Sequence, residues 1–204
     1  MAEFEFILFD LGGVLVELSG ADNLVKWMDN RVTQEEMHQI WLYSESVRAF
    51  ESGKITSIDF ADKIVQELNF NINPEEFLKS FSQFPIGLFA GAEDLLLGLR
   101  EHYPIGCLSN TNVIHWEWMK QHTNLEQLLH KCLLSFRMGL MKPDWEIFVQ
   151  AAEELGHKPQ HILFFDDNPT NVSAALAVGI QAYFVKGFED LKGYVSELGL
   201  LGRS

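Results

Sequence analysis

Asp10, Asp166 and Asp167 each follow an apolar run directly, Ser109-Asn110 follows another, and Lys142 stands in the loop Gly139-Leu140-Met141-Lys142-Pro143. Carboxylates gathered in one place repel and raise one another's pKa values. A divalent cation removes that conflict. Mg2+ prefers hard oxygen ligands and often completes its shell with substrate phosphate. An anionic phosphoryl group calls for further positive charge, which Lys142 supplies, while the Ser109 hydroxyl and backbone N–H groups can donate to its oxygens. Asp10 is then free to attack in line as a carboxylate nucleophile, forming an acyl-phosphate. Each residue also has a plainer reading. Aspartates after strands cap helices, Asp166-Asp167-Asn168-Pro169 makes a good turn, Ser109-Asn110 makes a loop cap, and single lysines are mostly solvated. The joint placement, in one order at the ends of successive apolar runs, argues for the chemical reading.

The elements that must position these residues alternate. Phe4–Phe9 reads as a strand running into Asp10, and Gly12-Gly13 turns the chain sharply after it. Beyond Pro85, helical patterns at Ala92–His102, Ile114–Gln121, Trp145–Leu155 and Asn171–Ala177 alternate with strands at Ile105–Leu108, Cys132–Leu134, Ile162–Phe165 and Gln181–Val185. That alternation predicts a parallel sheet covered on both faces, with ligands bound outside the carboxyl ends of its strands. Between Ser19 and Phe84 the chain holds four or five helical patterns and no convincing strand. Thr33-Gln34-Glu35-Glu36 is a capping box, Ile58, Ala61, Ile64, Val65 and Leu68 recur at helical spacing, and Asn73-Pro74 opens a further helix. The expected division is an α/β core from residues 1–17 and 86–204, with an all-helical insertion at 18–85. The tail after Gly187 reads as a short helix with frayed Gly-Leu-Leu-Gly-Arg-Ser at its end.

Composition narrows the partners. A net charge of −14 repels nucleic acid and anionic membrane, so neither is an expected partner. The 204 residues contain no apolar stretch near the ~18 residues of a spanning helix, and Met1-Ala2-Glu3 lacks the basic region of a signal peptide. Cys107 and Cys132 show no CxxC spacing and sit in apolar stretches, as buried free thiols of a reducing cytosol do. A cytoplasmic protein with a small-molecule ligand is the expectation. No histidine pair has HxH or HExxH spacing, and no GxGxxG or Walker loop is present, so neither zinc nor a nucleotide cradle is indicated.

Four segments together carry a resemblance: Phe9-Asp10-Leu11-Gly12-Gly13-Val14, Leu108-Ser109-Asn110-Thr111-Asn112, Met141-Lys142-Pro143 and Phe164-Phe165-Asp166-Asp167-Asn168. They resemble the four ordered motifs of the haloacid dehalogenase-like hydrolase superfamily. The helical insertion looks like its C1 cap. The forms of the first, second and fourth motifs, with the cap stretch Phe50-Glu51-Ser52-Gly53-Lys54-Ile55, are similar to a branch of sugar-phosphate phosphatases that includes the bacterial α-glucose-1-phosphate phosphatase. The resemblance implies a Rossmann-like parallel sheet of order 5-4-1-2-3 and a Mg2+-dependent phosphatase acting on a small phosphomonoester, a sugar phosphate, through an aspartyl-phosphate. It implies Asp10 as nucleophile and metal ligand, and the Gly12 carbonyl, Asp166 and Asp167 as further metal ligands, Asp167 directly and Asp166 directly or through water. Ser109 and Asn110 would hold phosphoryl oxygens, and Lys142 would neutralise both nucleophile and phosphate.

Gly12 departs from the common pattern, which has an acid/base Asp at that position. General acid–base help is worth ~10²–10⁴-fold. Either another group supplies the proton, with Glu17 and Asp22 as candidates, or the leaving group needs little help, or turnover is slow. Two other functions therefore stay open: a non-catalytic or weakly active phosphate-binding regulatory protein, and a metal-free dehalogenase, against which the paired Asp166-Asp167 argues. In the cap, Trp27, Trp41 and Tyr43 read as core packing before sugar contacts, and Arg48 either reaches an anionic substrate or pairs with Glu45 or Glu51. Trp116 and Trp118 read as helix packing.

Overall fold

The computed structural model describes residues 4–202. Seven strands occur in chain order: β1 (Phe6–Phe9), β2 (Val16–Leu18), β3 (Pro85–Leu88), β4 (Ile105–Ser109), β5 (Lys131–Leu134), β6 (Ile162–Asp166) and β7 (Gln181–Phe184). Five form one sheet in the order β5-β4-β1-β6-β7, and every pairing in it is parallel. Numbered along the chain among themselves, these strands run 5-4-1-2-3 across the sheet, as the motifs imply, with β1 central.

All four residues of β1 and all five of β4 and β6 are buried, as strands covered on both faces must be. Alternation then sorts the side chains. Ile7 and Phe9 enter one apolar layer with Leu96, Leu99 and Trp116, while Phe6 and Leu8 enter the other with Ile147, Phe148 and Ala175. Trp116 is fully buried, so the packing reading holds for it. Cys107 is buried and Cys132, its register partner on the edge strand β5, is half-buried; both are free thiols.

Between β2 and β3 lie five helices: α1 (Ala21–Trp27), α2 (Gln34–Tyr43), α3 (Glu45–Glu51), α4 (Ser57–Glu67) and α5 (Pro74–Phe81). The expected capping box closes α2, with Thr33 and Glu36 each accepting from the other's backbone N–H, and Asn73 caps α5 ahead of Pro74. Phe50, Phe60, Phe77 and Phe81 stack into a core separate from those flanking the sheet. Trp27 and Trp41 pack edge-on against Phe77 and Phe60, whereas Tyr43 is exposed.

The sequence reading missed the ribbon that joins the two parts. β2 and β3 pair antiparallel where the chain leaves the sheet and returns. Three and four residues long, the second carrying Pro85 and Gly87, they offer too little alternation to register as strands. The tail also differs from expectation. The helix Phe188–Glu197 packs Leu191 and Val195 into the core, and Leu200 beyond it is 1% exposed, so hydrophobic contact anchors the start of the expected fray, while Leu201 and Gly202 are exposed. Arg203 and Ser204 lie outside the described residues. Among the described residues, no helix is long and apolar enough to cross a membrane.

Candidate active site

Asp10 directly follows β1, and β4 ends in Ser109 and β6 in Asp166, so three adjacent parallel strands deliver these residues to one edge of the sheet. Asp10, Asp166 and Asp167 each place an oxygen within 4.8 Å of the others. Lys142 Nζ lies 3.0 Å from Asp10 Oδ1 and 2.6 Å from Asp166 Oδ2, and its side chain is almost wholly buried. Burial opposes the charge on Lys142, but the Asp10 and Asp166 carboxylates outweigh it and hold its pKa above the ordinary lysine value.

The carboxylates differ in their attachments. Asp166 accepts from Lys142, from the Asn168 backbone N–H at 2.7 Å and from Asn171 Nδ2 at 3.1 Å on both oxygens. It is held in place by partners on every side. Asn171 was not singled out in the sequence. Its signal is only that it falls in the first turn of the helix Pro169–Ala177, on the face turned back to the strand end. Asp10 is pushed up to about 7 by burial, with Lys142 pulling the other way and Asp166 and Asp167 adding to the rise. Asp167 is more exposed and is raised to about 6 by burial and by Asp166. Gly13 is required beside it: φ is +74°, and a Cβ there would collide with the Asp167 carboxylate.

Three carboxylates share one ammonium, Lys142, and so make a set of hard oxygen donors still short of positive charge. The donor type and spacing fit Mg2+, with Asp10 and Asp167 the least encumbered ligands.

The Asn110 side chain is engaged on Lys142. Its Oδ1 accepts from the Lys142 backbone N–H at 2.9 Å and its Nδ2 donates to the Lys142 carbonyl at 2.8 Å. The amide is used on the lysine's main chain, so the side chain sets where Lys142 stands. Ser109 keeps its place at the cavity's inner end, beside Gly12 and Thr111. Ser135 Oγ bridges the Thr111 backbone N–H and carbonyl, pinning that loop.

A cavity of about 470 Å³ opens from these groups into the space between the sheet edge and the helices of the insertion. Glu51, the last residue of α3, lines it together with Gly12, Ser109 and Asn110. Burial, reinforced by the negative charge of Asp10, pushes Glu51 up to about 7. Neither substitute named from the sequence stands so. Glu17 points outward on β2, and Asp22 is held at the rim by Gln34 Nε2 at 2.6 Å. Arg48 does not pair with Glu45 or Glu51 and does not line the cavity. It binds Asp144 at 2.8 Å, across the junction of the two parts. The Phe50–Ile55 stretch earns its place in the same way. Gly53, at φ +69°, lets the end of α3 press on the Phe136 carbonyl, where any Cβ would collide.

Residues 4–179 match the family model of the haloacid dehalogenase-like hydrolases. The chain belongs to this family. It is 26% identical over 188 residues to D-ribitol-5-phosphate phosphatase of Bacteroides thetaiotaomicron, covering 87% of this chain and 89% of that one. It is 25% identical to a sesquiterpene phosphatase of Aspergillus oryzae, covering 87% of each. A family enzyme of Bacteroides thetaiotaomicron, solved with magnesium and inorganic phosphate, superposes with a TM-score of 0.78 at 31% identity, over 94% of this chain and 98% of that one.

Proposed function

We propose that this protein is a Mg2+-dependent phosphatase that hydrolyses a small phosphomonoester through an aspartyl-phosphate on Asp10. The class, a phosphoric monoester hydrolase, is that of the curated relatives, and Mg2+ is the ion found in the solved family enzyme. The observation that carries the reading is the Lys142 ammonium, buried between Asp10 and Asp166 and beside the open Asp167. A lysine so placed offsets the charge of a nucleophilic carboxylate and of a phosphoryl group arriving next to it.

Asp10, Asp167 and Asp166 would hold the metal, with the Gly12 carbonyl. The bound ion supplies charge neutralisation to the phosphoryl oxygens. Asp10 attacks phosphorus in line, the bond to the leaving oxygen breaks, and water then hydrolyses the acyl-phosphate. Ser109 Oγ orients the phosphoryl group, and Asn110 keeps Lys142 in reach of it. Gly12 has no side chain to pass a proton, and Glu51 lines the space into which the leaving oxygen departs, so Glu51 takes that role. Solved dehalogenases resemble the chain at only 16% and 18% identity, which speaks for the shared fold alone.

The sugar-phosphate substrate has the ribitol-phosphate relative in its favour; the sesquiterpene phosphatase speaks for an apolar one. Phosphate release from p-nitrophenyl phosphate tests the shared part. It should require Mg2+, stop with EDTA, and vanish in Asp10→Asn. Release that persists in chelator would overturn the reading.

A further inference from the structure

The cavity that receives the organic part of the substrate has walls of hydrocarbon and thioether. Leu24, Met37, Trp41, Phe81, Phe84 and Met119 line it, with Val16 and Leu18 from the ribbon. Met37 and Phe81 are each about 1% exposed, so their surfaces are fixed by packing and do not turn aside.

Most polar groups among the walls are already committed, and His38, Glu51 and the Thr111 hydroxyl are the exceptions. His115 lines the cavity. Its Nε2 lies 2.8 Å from the Phe81 carbonyl and its Nδ1 3.2 Å from Asn112 Nδ2. Burial drives its pKa down to about 4, so the ring is neutral. Nε2–H then donates to Phe81, and Nδ1 accepts from Asn112. Both nitrogens are used, and the ring packs 4.2 Å from Phe81 as one more flat wall. Ser19 Oγ donates to the Phe84 carbonyl at 3.1 Å. Asp22 and Gln34 bind each other at the exposed rim, where His38 also stands.

Charge is equally informative. None of the residues lining the cavity is a lysine or arginine, and Arg48, the nearest candidate, is spent on Asp144. Beyond the phosphoryl site a second anionic group would meet Glu51 and Asp22 with no counter-charge. A polyol or sugar would bury several hydroxyls against aromatic faces, with only Glu51, Thr111 and the rim groups to replace the water they lose.

We infer that the physiological leaving group is apolar: the substrate is a monophosphate of a hydrocarbon-rich alcohol or phenol, with no second charged group. This rests on the phosphatase reading and narrows it. A cavity of this volume is in the range that encloses a small organic molecule, and its walls would cover an alkyl chain or ring without orphaning any polar group.

The test separates apolar contact from leaving-group acidity by comparing primary alkyl phosphates with one another. With Mg2+, ethyl, butyl, hexyl and octyl phosphate are compared with ribitol 5-phosphate and glucose 6-phosphate by kcat/KM. Each added methylene should raise kcat/KM about threefold to fourfold until the cavity is filled. Octyl phosphate should exceed both polyol phosphates by at least ~10²-fold. Leu18→Ser changes a half-exposed wall residue, and should flatten the chain-length series while leaving the thermal midpoint within a few degrees of the parent. A flat or falling series, or a polyol phosphate hydrolysed better than octyl phosphate, overturns the inference. If p-nitrophenyl phosphate is still cleaved in a Mg2+- and Asp10-dependent way, the phosphatase reading survives that result. No hydrolysis of any of these compounds overturns both.

Discussion

Asp10 sits 3.0 Å from Lys142, directly after the central strand and next to the cavity-lining Leu11 and Gly12, and is the proposed nucleophile. Asp10→Asn should therefore lose at least ~10³-fold of phosphate release, since an amide cannot form the acyl-phosphate. Its thermal midpoint without metal should not fall, because the substitution removes a carboxyl that burial already disfavours as an anion. Activity within tenfold of the parent would defeat the covalent route. Glu51 and Gly12 form a second test. Glu51→Gln keeps the shape and removes the proton. Simple alkyl phosphates should lose ~10²–10⁴-fold and p-nitrophenyl phosphate less than ~10-fold, since its leaving group departs without help. Equal losses on both would make Glu51 a packing residue. Gly12→Asp in the Glu51→Gln background should recover part of the alkyl activity. Gly12 does not need a positive φ, and its Cβ would meet Leu18 Cδ1 at 2.7 Å, the end of a half-exposed side chain that can swing aside. Single-turnover phosphorylation would show whether the recovered step is the chemical one.

At the scale of elements, the placement of α3 decides what the cavity contains. Two contacts hold it on the core, and they differ in kind. The Arg48–Asp144 pair is nearly half exposed at both ends, so Arg48→Ala should change stability by no more than ~1 kcal/mol. It should also leave KM for alkyl phosphates near the parent value, where a substrate-binding cation would raise it several-fold. Gly53→Ala is the heavier change. It forces a left-handed backbone on an L-residue, at ~1–2 kcal/mol, and drives a methyl into the Phe136 carbonyl. Urea unfolding should show that loss, and the displaced Glu51 should appear as a lower kcat on alkyl phosphates. An unchanged kcat would mean that α3 does not aim Glu51. The motif Phe50–Ile55 was legible in the sequence as a pattern, but its two jobs, aiming a carboxyl and clearing a carbonyl, belong to the interface it makes.

Over the whole molecule the buried carboxylates set a pH dependence of one sign. Asp10 and Glu51 at about 7 and Asp167 at about 6 all lie above their ordinary values, so the folded chain holds protons that the unfolded chain releases. Their contribution to stability is complete below about pH 4 and is lost as pH rises through about 6 to 7. Glu5, Glu36, Glu67 and Glu154 are lowered by their hydrogen-bond partners, so their contribution is lost instead as pH falls below the ordinary carboxylate range. The metal-free protein should thus be most stable near pH 5 and melt lower at pH 8. Mg2+ needs the deprotonated trio, so its affinity should climb by up to ~10-fold per pH unit for each proton displaced between pH 5.5 and 7.5. Calorimetric melting with EDTA or Mg2+ at pH 5.5 and 8 checks both. A metal-induced rise in melting temperature that is no larger at pH 8 would contradict the raised values.

The alternation of strands and helices, the helical insertion and the residues Asp10, Ser109, Lys142, Asp166 and Asp167 were all legible in the sequence, and the order of strands followed from the resemblance of the four motifs. Apolar runs buried on both faces and the residues directly after them are local patterns, and a parallel sheet must bring its strand ends to one edge. What tertiary structure alone decided is whatever depends on residues far apart meeting. Asn110 turns to Lys142 across 32 positions, Asn171 reaches back to Asp166, and Arg48 crosses 96 positions to Asp144. Glu51 faces the nucleophile's cavity only because α3 docks as it does. His115 is neutral and committed only because Phe81 and Asn112 close on it. Most residues proposed for the chemical step stand at strand ends, which strand periodicity announces in the chain by itself. The identity of the leaving group follows the packing of five helices against a sheet edge, and side chains without a fixed periodicity toward one another reveal that only when folded.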